Sequence, residues 1–301
     1  MKNKITADKM RMNAAKTAFS VLRFIIIFGL SFIILKPIIA KVLLSFMSPD
    51  DLLDNTVKLI PKNPSLFYWK TMLSQMSLPK SLINSVVLSL SVALLQTFSC
   101  TVIGYGLARF KFRGRGLAFA FVVIMMIVPY QAISIAQYQS FVSIKIGGYE
   151  LVDTFWPILI LAFTGLGIRE GLYIYLMNAN FKSLSTTLEE AAYIDGAGVM
   201  RTFTSVMLPN AKTMIITVFL FSFCWEWTDT TYPKIYLVDT RLLATALDSL
   251  NVRNGLALDN AGTQIAKCAA SLFLALPLVF LFILCQKFFV KSISQTGLSG
   301  G

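Results

Sequence analysis

The 301-residue chain contains no histidine. That removes the commonest general base, proton shuttle and metal ligand from any mechanism built on it. It has four cysteines, Cys100, Cys224, Cys268 and Cys285, and none lies in a CxxC pair. All four sit in or beside apolar stretches, which excludes a zinc-ligand set or disulfide framework and suits small embedded hydrophobes. Charge is scarce too, at 14% of residues, against 56% hydrophobic residues. The mean hydropathy is +0.69. A water-soluble domain cannot hide so much apolar side chain, so the composition predicts a protein dissolved in lipid. The net charge of +12 does not imply nucleic acid, because the basic residues cluster at the ends of apolar blocks rather than in an exposed basic domain.

A bilayer core of about 30 Å takes about 20 helical residues. Six blocks meet that length: Phe19–Leu44, Leu82–Ala108, Leu117–Phe141, Leu151–Met177, Thr213–Trp227 with a few further residues, and Ala266–Phe289. Tyr232-Pro233 either ends the fifth or kinks it. The first block follows Lys2, Lys4, Lys9, Arg11 and Lys16. It is too long for a signal-peptide core, and no small-residue cleavage site follows, so it reads as an uncleaved anchor. Lys and Arg predominate in residues 1–18, in 109–115, in 178–212 and in the tail, compared with the intervening loops. That bias predicts both termini in the cytoplasm. The layout is therefore an all-α polytopic membrane protein. It has a basic amino-terminal stretch (1–18), a first transmembrane helix (19–46), an outer segment (47–80), a five-helix core (81–291) containing a loop at 178–212, and a tail (292–301). The outer segment holds Pro49, Pro61, Pro64 and Pro79, and the aromatic run Leu66-Phe67-Tyr68-Trp69. An interfacial anchor and a partner contact both fit that run.

Between the fourth and fifth blocks lies a polar island. Thr186/Glu189 and Thr187/Glu190 have capping-box spacing, so a short helix is expected over Leu188–Ile194. Gly196 and Gly198 stop it and permit positive φ. A second short helix is expected over Met200–Val206. The island reads Glu190-Ala191-Ala192, then Gly196 after three residues, then Val206-Met207-Leu208-Pro209 after nine more. This spacing resembles the E-A-A…G…I-x-L-P signature of bacterial ABC importer permeases, with Val206 in place of Ile. Asn84-Ser85, Pro129, Phe288-Phe289-Val290-Lys291 and Tyr105-Gly106-Leu107-Ala108-Arg109-Phe110-Lys111-Phe112-Arg113-Gly114 are similar to the carbohydrate branch of that family, in its shorter, maltose-type six-span form. The likeness runs from about residue 60 onward.

The resemblance implies a type I importer fold whose island is a coupling helix docked on a cytoplasmic ATPase subunit. Glu190, Ala191, Ala192, Asp195, Gly196, Leu208 and Pro209 are then the coupling residues. It also implies a second permease subunit, two ATPase subunits that bind ATP and Mg, and an external solute-binding protein. No G-x-x-x-x-G-K-[ST] loop occurs here, so ATP binding falls to the separate chains. No catalytic residue, metal or cofactor is expected in this one. Two departures stand out. Ser185 replaces the usual Pro before the acidic helix, and Trp225-Glu226-Trp227-Thr228-Asp229 replaces the family's Trp-Asn pattern.

Ionisable groups inside a span cost roughly 2.5–3.5 kcal/mol on insertion scales. Arg169 and Glu170 follow Gly165 and Gly167. Snorkelling of Arg169 to the inner headgroups is the plainest reading, and an aqueous cavity or partner contact is the alternative. Trp225, Glu226 and Trp227 suit sugar contact, since indoles stack on C–H faces and a carboxylate accepts from hydroxyls. An interfacial aromatic pair beside a solvated acid fits as well. Pro129, Gln131, Gln137 and Gln139 line a polar path or pack between helices. Other small polar solutes, such as a polyol phosphate, are the alternative cargo. An ion-coupled secondary transporter would show paired mid-span carboxylates, and few are present.

Overall fold

The computed structural model describes residues 2–146, 148–252 and 259–298. Arg253, one of the basic residues in the loops between the apolar blocks, and the last three residues of the tail lie outside them. The described residues are almost entirely helical, with one two-residue antiparallel ladder pairing Lys145–Ile146 with Tyr149–Glu150. Three helices are long and apolar enough to cross a membrane unbroken: Lys16–Ser45, Leu78–Arg109 and Asn260–Gln286. The count reaches five if each of two bent pairs is one span. The first block leaves Phe19, Ile33 and Ile34 well exposed, as a lipid-facing helix does.

The expectation of one uninterrupted helix per block fails in the third and fourth. The third divides into Arg115–Ile127 and Tyr130–Ser143, set at 106°. Pro129 causes the break: it lacks an N–H, and it holds Val128 in an extended conformation (ψ 121°). Pro129 thus sits at a corner, not within a continuous span. The fourth divides into Trp156–Thr164 and Glu170–Ser183, joined through Gly165 (φ +80°) and Arg169 (φ +64°). The fifth forms Lys212–Thr228 and ends there. The Asp229 carboxylate accepts from the Thr231 and Tyr232 amides at 3.1 and 3.0 Å, and Pro233 belongs to a separate short helix, Thr231–Tyr236.

The chain forms two compact units. One comprises Met1–Leu73 with Leu250–Phe273. Its core gathers Met47, Tyr68, Val252, Ile265 and Ala266. Tyr68 is buried there, so only Leu66 and Phe67 of the aromatic run are left well exposed. A capping box over Ser48 and Asp51 starts the helix Pro49–Leu53.

The second unit comprises Ser74–Ser249 with Leu274–Gly301. Its centre is Leu78–Arg109, which packs against both halves of the fourth block and against the fifth. Gly104 permits the closest of these approaches. A Cβ there would lie 2.6 Å from the Met177 Cβ, and the Asn178 side-chain amide donates to the Gly104 carbonyl at 3.3 Å. Two apolar clusters result. One includes Tyr105, Val122, Met177, Phe181 and Met207. The other includes Leu88, Phe141, Ile158, Tyr232 and Tyr236.

Candidate functional site

The island folds as the spacing predicts in outline. Its first helix is Thr187–Ile194. Gly196 follows at φ +78°, in the left-handed region. Gly198 is extended (φ −74°, ψ 168°) and needs no such freedom. A bent segment completes the island: Val199–Thr202, a π-helical turn over Phe203–Met207, then Leu208–Asn210. The π turn extends the expected Met200–Val206 helix and widens it by one residue. Beyond Pro209 the chain turns 76° into the fifth span.

The capping boxes do not form. Thr186 has helical angles and makes no side-chain cap. Glu189 turns inward instead and is buried. Its Oε1 accepts from the Tyr105 hydroxyl at 2.9 Å, and its Oε2 lies 3.2 Å from the Arg109 Nε, an ion pair by distance rather than an aligned hydrogen bond. Arg109 also donates to the Leu184 carbonyl at 2.7 Å, where the fourth block ends. One arginine at the end of the second span thereby fixes both the start of the island and its acid. Tyr105 is further wedged among Phe110, Phe181 and Phe203.

With Glu189 and Ala192 turned inward, the outer face carries Glu190, Ala191, Tyr193, Ile194, Asp195 and Gly196. Ile194 keeps 86% of its surface and Met200, across the turn, 72%. Large apolar side chains standing beside Glu190 and Asp195 form an exposed apolar patch with an acidic margin. Ala192 is not part of it. Leu208 packs against the inner cluster as well, while Pro209 stays exposed at the bend.

A second site lies in the same unit. A recess of about 130 Å³ is lined by Gln96, Tyr130, Ile168, Arg169, Tyr173, Ser222, Trp225, Glu226 and residues 228–230. Trp225 and Glu226 meet there, as the sequence suggests, but Trp227 does not. It is buried, stacks on Phe223 and donates from Nε1 to the Leu274 carbonyl at 2.9 Å. Its role is to hold the fifth span. Pro129 and Gln131 are exposed and absent from the lining; their neighbour Tyr130 occupies it. Gln137 instead accepts from the Tyr232 hydroxyl at 3.0 Å. Arg169 does not snorkel outward: its guanidinium sits 3.3 Å from the centroid of the Trp225 ring. Glu170 is fully buried and its carboxylate accepts from the Gly167 amide at 2.6 Å. Among the described residues no His, Cys, Asp and Glu group is placed to hold a metal.

These features define a helical integral-membrane protein of the transport class. The chain belongs to the family of binding-protein-dependent transport system inner membrane components, whose pattern matches residues 101–295. It is 31% identical over 221 residues to the maltodextrin transport system permease protein MdxG of Bacillus subtilis, covering 72% of this chain and 74% of that one. It is 25% identical over 281 residues to the galactooligosaccharides transport system permease protein GanQ of the same organism, covering 92% and 94%. Its fold is similar (TM-score 0.71, 20% identity, 91% of this chain and 98% of the other) to a chain in the crystal structure of a bacterial ABC transporter involved in the import of the acidic polysaccharide alginate.

Proposed function

We propose that this chain is one permease subunit of an ATP-driven importer of oligosaccharides. It lies in a bacterial plasma membrane with both termini in the cytoplasm. Its partners are a second, different permease chain, two ATPase subunits that bind ATP and Mg, and an external solute-binding protein. The observation that carries this reading is the exposed face Glu190, Ala191, Tyr193, Ile194 and Asp195, on a helix whose other face is locked to the second span through Glu189 and Arg109. A rigidly held, partly apolar surface passes a partner's movement to the membrane helices, as alternating access requires. The names of the relatives, maltodextrin and galactooligosaccharide permeases, support neutral oligosaccharides as cargo.

The test is assembly followed by transport. The tagged full-length chain, extracted in mild detergent, is expected to bring with it an ATPase chain and a second permease. In proteoliposomes that complex, given its binding protein, is expected to accumulate labelled maltodextrin or galactooligosaccharide only with ATP. Uptake by this chain alone, driven by an ion gradient, would overturn the reading.

A further inference from the structure

Within the run Arg109-Phe110-Lys111-Phe112-Arg113-Gly114-Arg115, the two end arginines are tied to the protein. Arg109 pairs with Glu189 and donates to the Leu184 carbonyl, and Arg115 donates to the Ala108 carbonyl at 3.1 Å. Lys111 and Arg113 between them are exposed and, among the described residues, form no ion pair. Phe110 and Phe112, which alternate with these cations, are exposed as well. No Asp or Glu occurs from Phe110 to Ile127. Lys182, exposed at the end of the fourth block, adds a further cation 4.9 Å from the Phe119 ring centroid.

We propose that this loop binds the headgroup of an anionic phospholipid, the phosphate meeting Lys111 and Arg113 while Phe110 and Phe112 reach the acyl boundary. Depth favours a lipid over a protein partner. Residues 110–114 alone separate the apolar helices Leu78–Arg109 and Arg115–Ile127, and Gly114, at φ +86°, turns the chain back. Leu117 and Phe121, exposed near the start of the second helix, mark the edge of the hydrocarbon. At about 3.5 Å per extended residue, out and back, so short a reversal rises no more than about 9 Å above the helix ends. The headgroup layer is itself about 5–8 Å deep on each side. Composition favours the same occupant. A charge bias that only sets orientation needs cations and no aromatics, whereas here phenyl rings alternate with them. A zwitterionic headgroup would bring its ammonium against Lys111, Arg113 and Lys182 with no acid between residues 110 and 127 to receive it. A phosphodiester that carries no ammonium fits.

The test is native mass spectrometry of the full-length chain, released from detergent after titration with phosphatidylglycerol or phosphatidylcholine of the same acyl chains. Preferential retention of phosphatidylglycerol is expected. Lys111→Gln and Arg113→Gln should each weaken it about fivefold, and the pair together about 25-fold. Neither side chain has an ion pair to lose, so the thermal midpoint in phosphatidylcholine should stay where it is. Lys111→Arg with Arg113→Lys should restore retention. Lys58→Gln with Lys70→Gln removes the same charge from the outer segment and should change nothing. Phe112→Ser should weaken retention of the lipid, and glycerol phosphate, a headgroup without chains, should compete poorly. No preference for phosphatidylglycerol in the unmodified chain, an equal loss in the outer-segment variant, or competition by glycerol phosphate as strong as by the lipid would each overturn the site. So would a Lys111 and Arg113 variant that keeps its lipid but loses a co-purifying ATPase chain, which would make the loop a protein contact. The importer reading fails separately: phosphatidylglycerol retained without ATP-driven uptake sinks only that reading.

Discussion

Glu189 and Glu226 are equally buried, each with 8% of its surface exposed, yet their surroundings are opposite. Glu189 meets Tyr105 and Arg109. Glu226 lines the recess, and its Oε1 is buried with no hydrogen-bond partner among the described residues. Burial alone therefore says little about what a carboxylate does in this protein. A paired acid at the island fixes one element against another, and its removal should be felt by the fold. An unpaired buried acid adds no hydrogen bond to the fold through that oxygen, and its replacement by Gln should be felt much less.

Arg109→Ala is the severest way to break the comparison. It strands Glu189 and frees the Leu184 carbonyl, and losing one partner of a buried pair costs about 3–5 kcal/mol. Protease-resistant protein in membranes should fall sharply, and uptake with it. If Arg109→Ala folds and transports as well as Glu226→Gln does, the contrast between the two acids is wrong.

Gly196→Leu should act next in size and differently. A Cβ there meets nothing within 4 Å, so the cost is conformational, about 1–2 kcal/mol for a left-handed branched residue. Membrane levels should change little. On the proposed coupling role of this turn, ATPase co-purification and ATP-driven uptake should drop together. Normal uptake in this variant would remove the turn from coupling.

The smallest effect concerns a third acid, Asp54, which is partly exposed. The Lys62 ammonium bonded to Asp54, with help from Thr56, holds this carboxyl well below the usual carboxylate range. A depressed value favours the folded form above the unfolded-state pKa of about 3.9 and loses that benefit as pH falls through the folded value. Proteolysis of the 54–62 segment should be flat from pH 8 to pH 5 and rise only in stronger acid. Because the pair is exposed, Lys62→Ala should change membrane levels little.

What the sequence disclosed, and what it withheld, follows the range of the interactions involved. The apolar blocks and the Gly196 turn were legible because they depend on nearby residues. The direction of Glu189 was not. Capping-box spacing is a local rule, and the acid is captured by Tyr105 and Arg109 from another helix. A clue existed: Tyr105 and Arg109 are four apart and share a helix face, pointing jointly at something acidic. The break at Pro129 was also readable, since the residue before a proline resists helix. The recess was not. Its walls come from the second, fourth and fifth blocks, the turn after the fifth and the corner within the third, and only packing shows that Trp225 and Glu226 line it while Trp227 turns away.

The interruption between Gly165 and Arg169 carries a consequence for the lipid. Hydrocarbon supplies no hydrogen bonds, so a chain that abandons its helix inside a span has to bring its own substitute for water. Glu170 plays that part by receiving the Gly167 amide, with the Leu166 amide returning to the Leu161 carbonyl. The fourth block therefore runs as two short rods sharing an internally hydrogen-bonded joint. Replacing Glu170 by an aliphatic residue would leave the Gly167 amide of that joint without its acceptor.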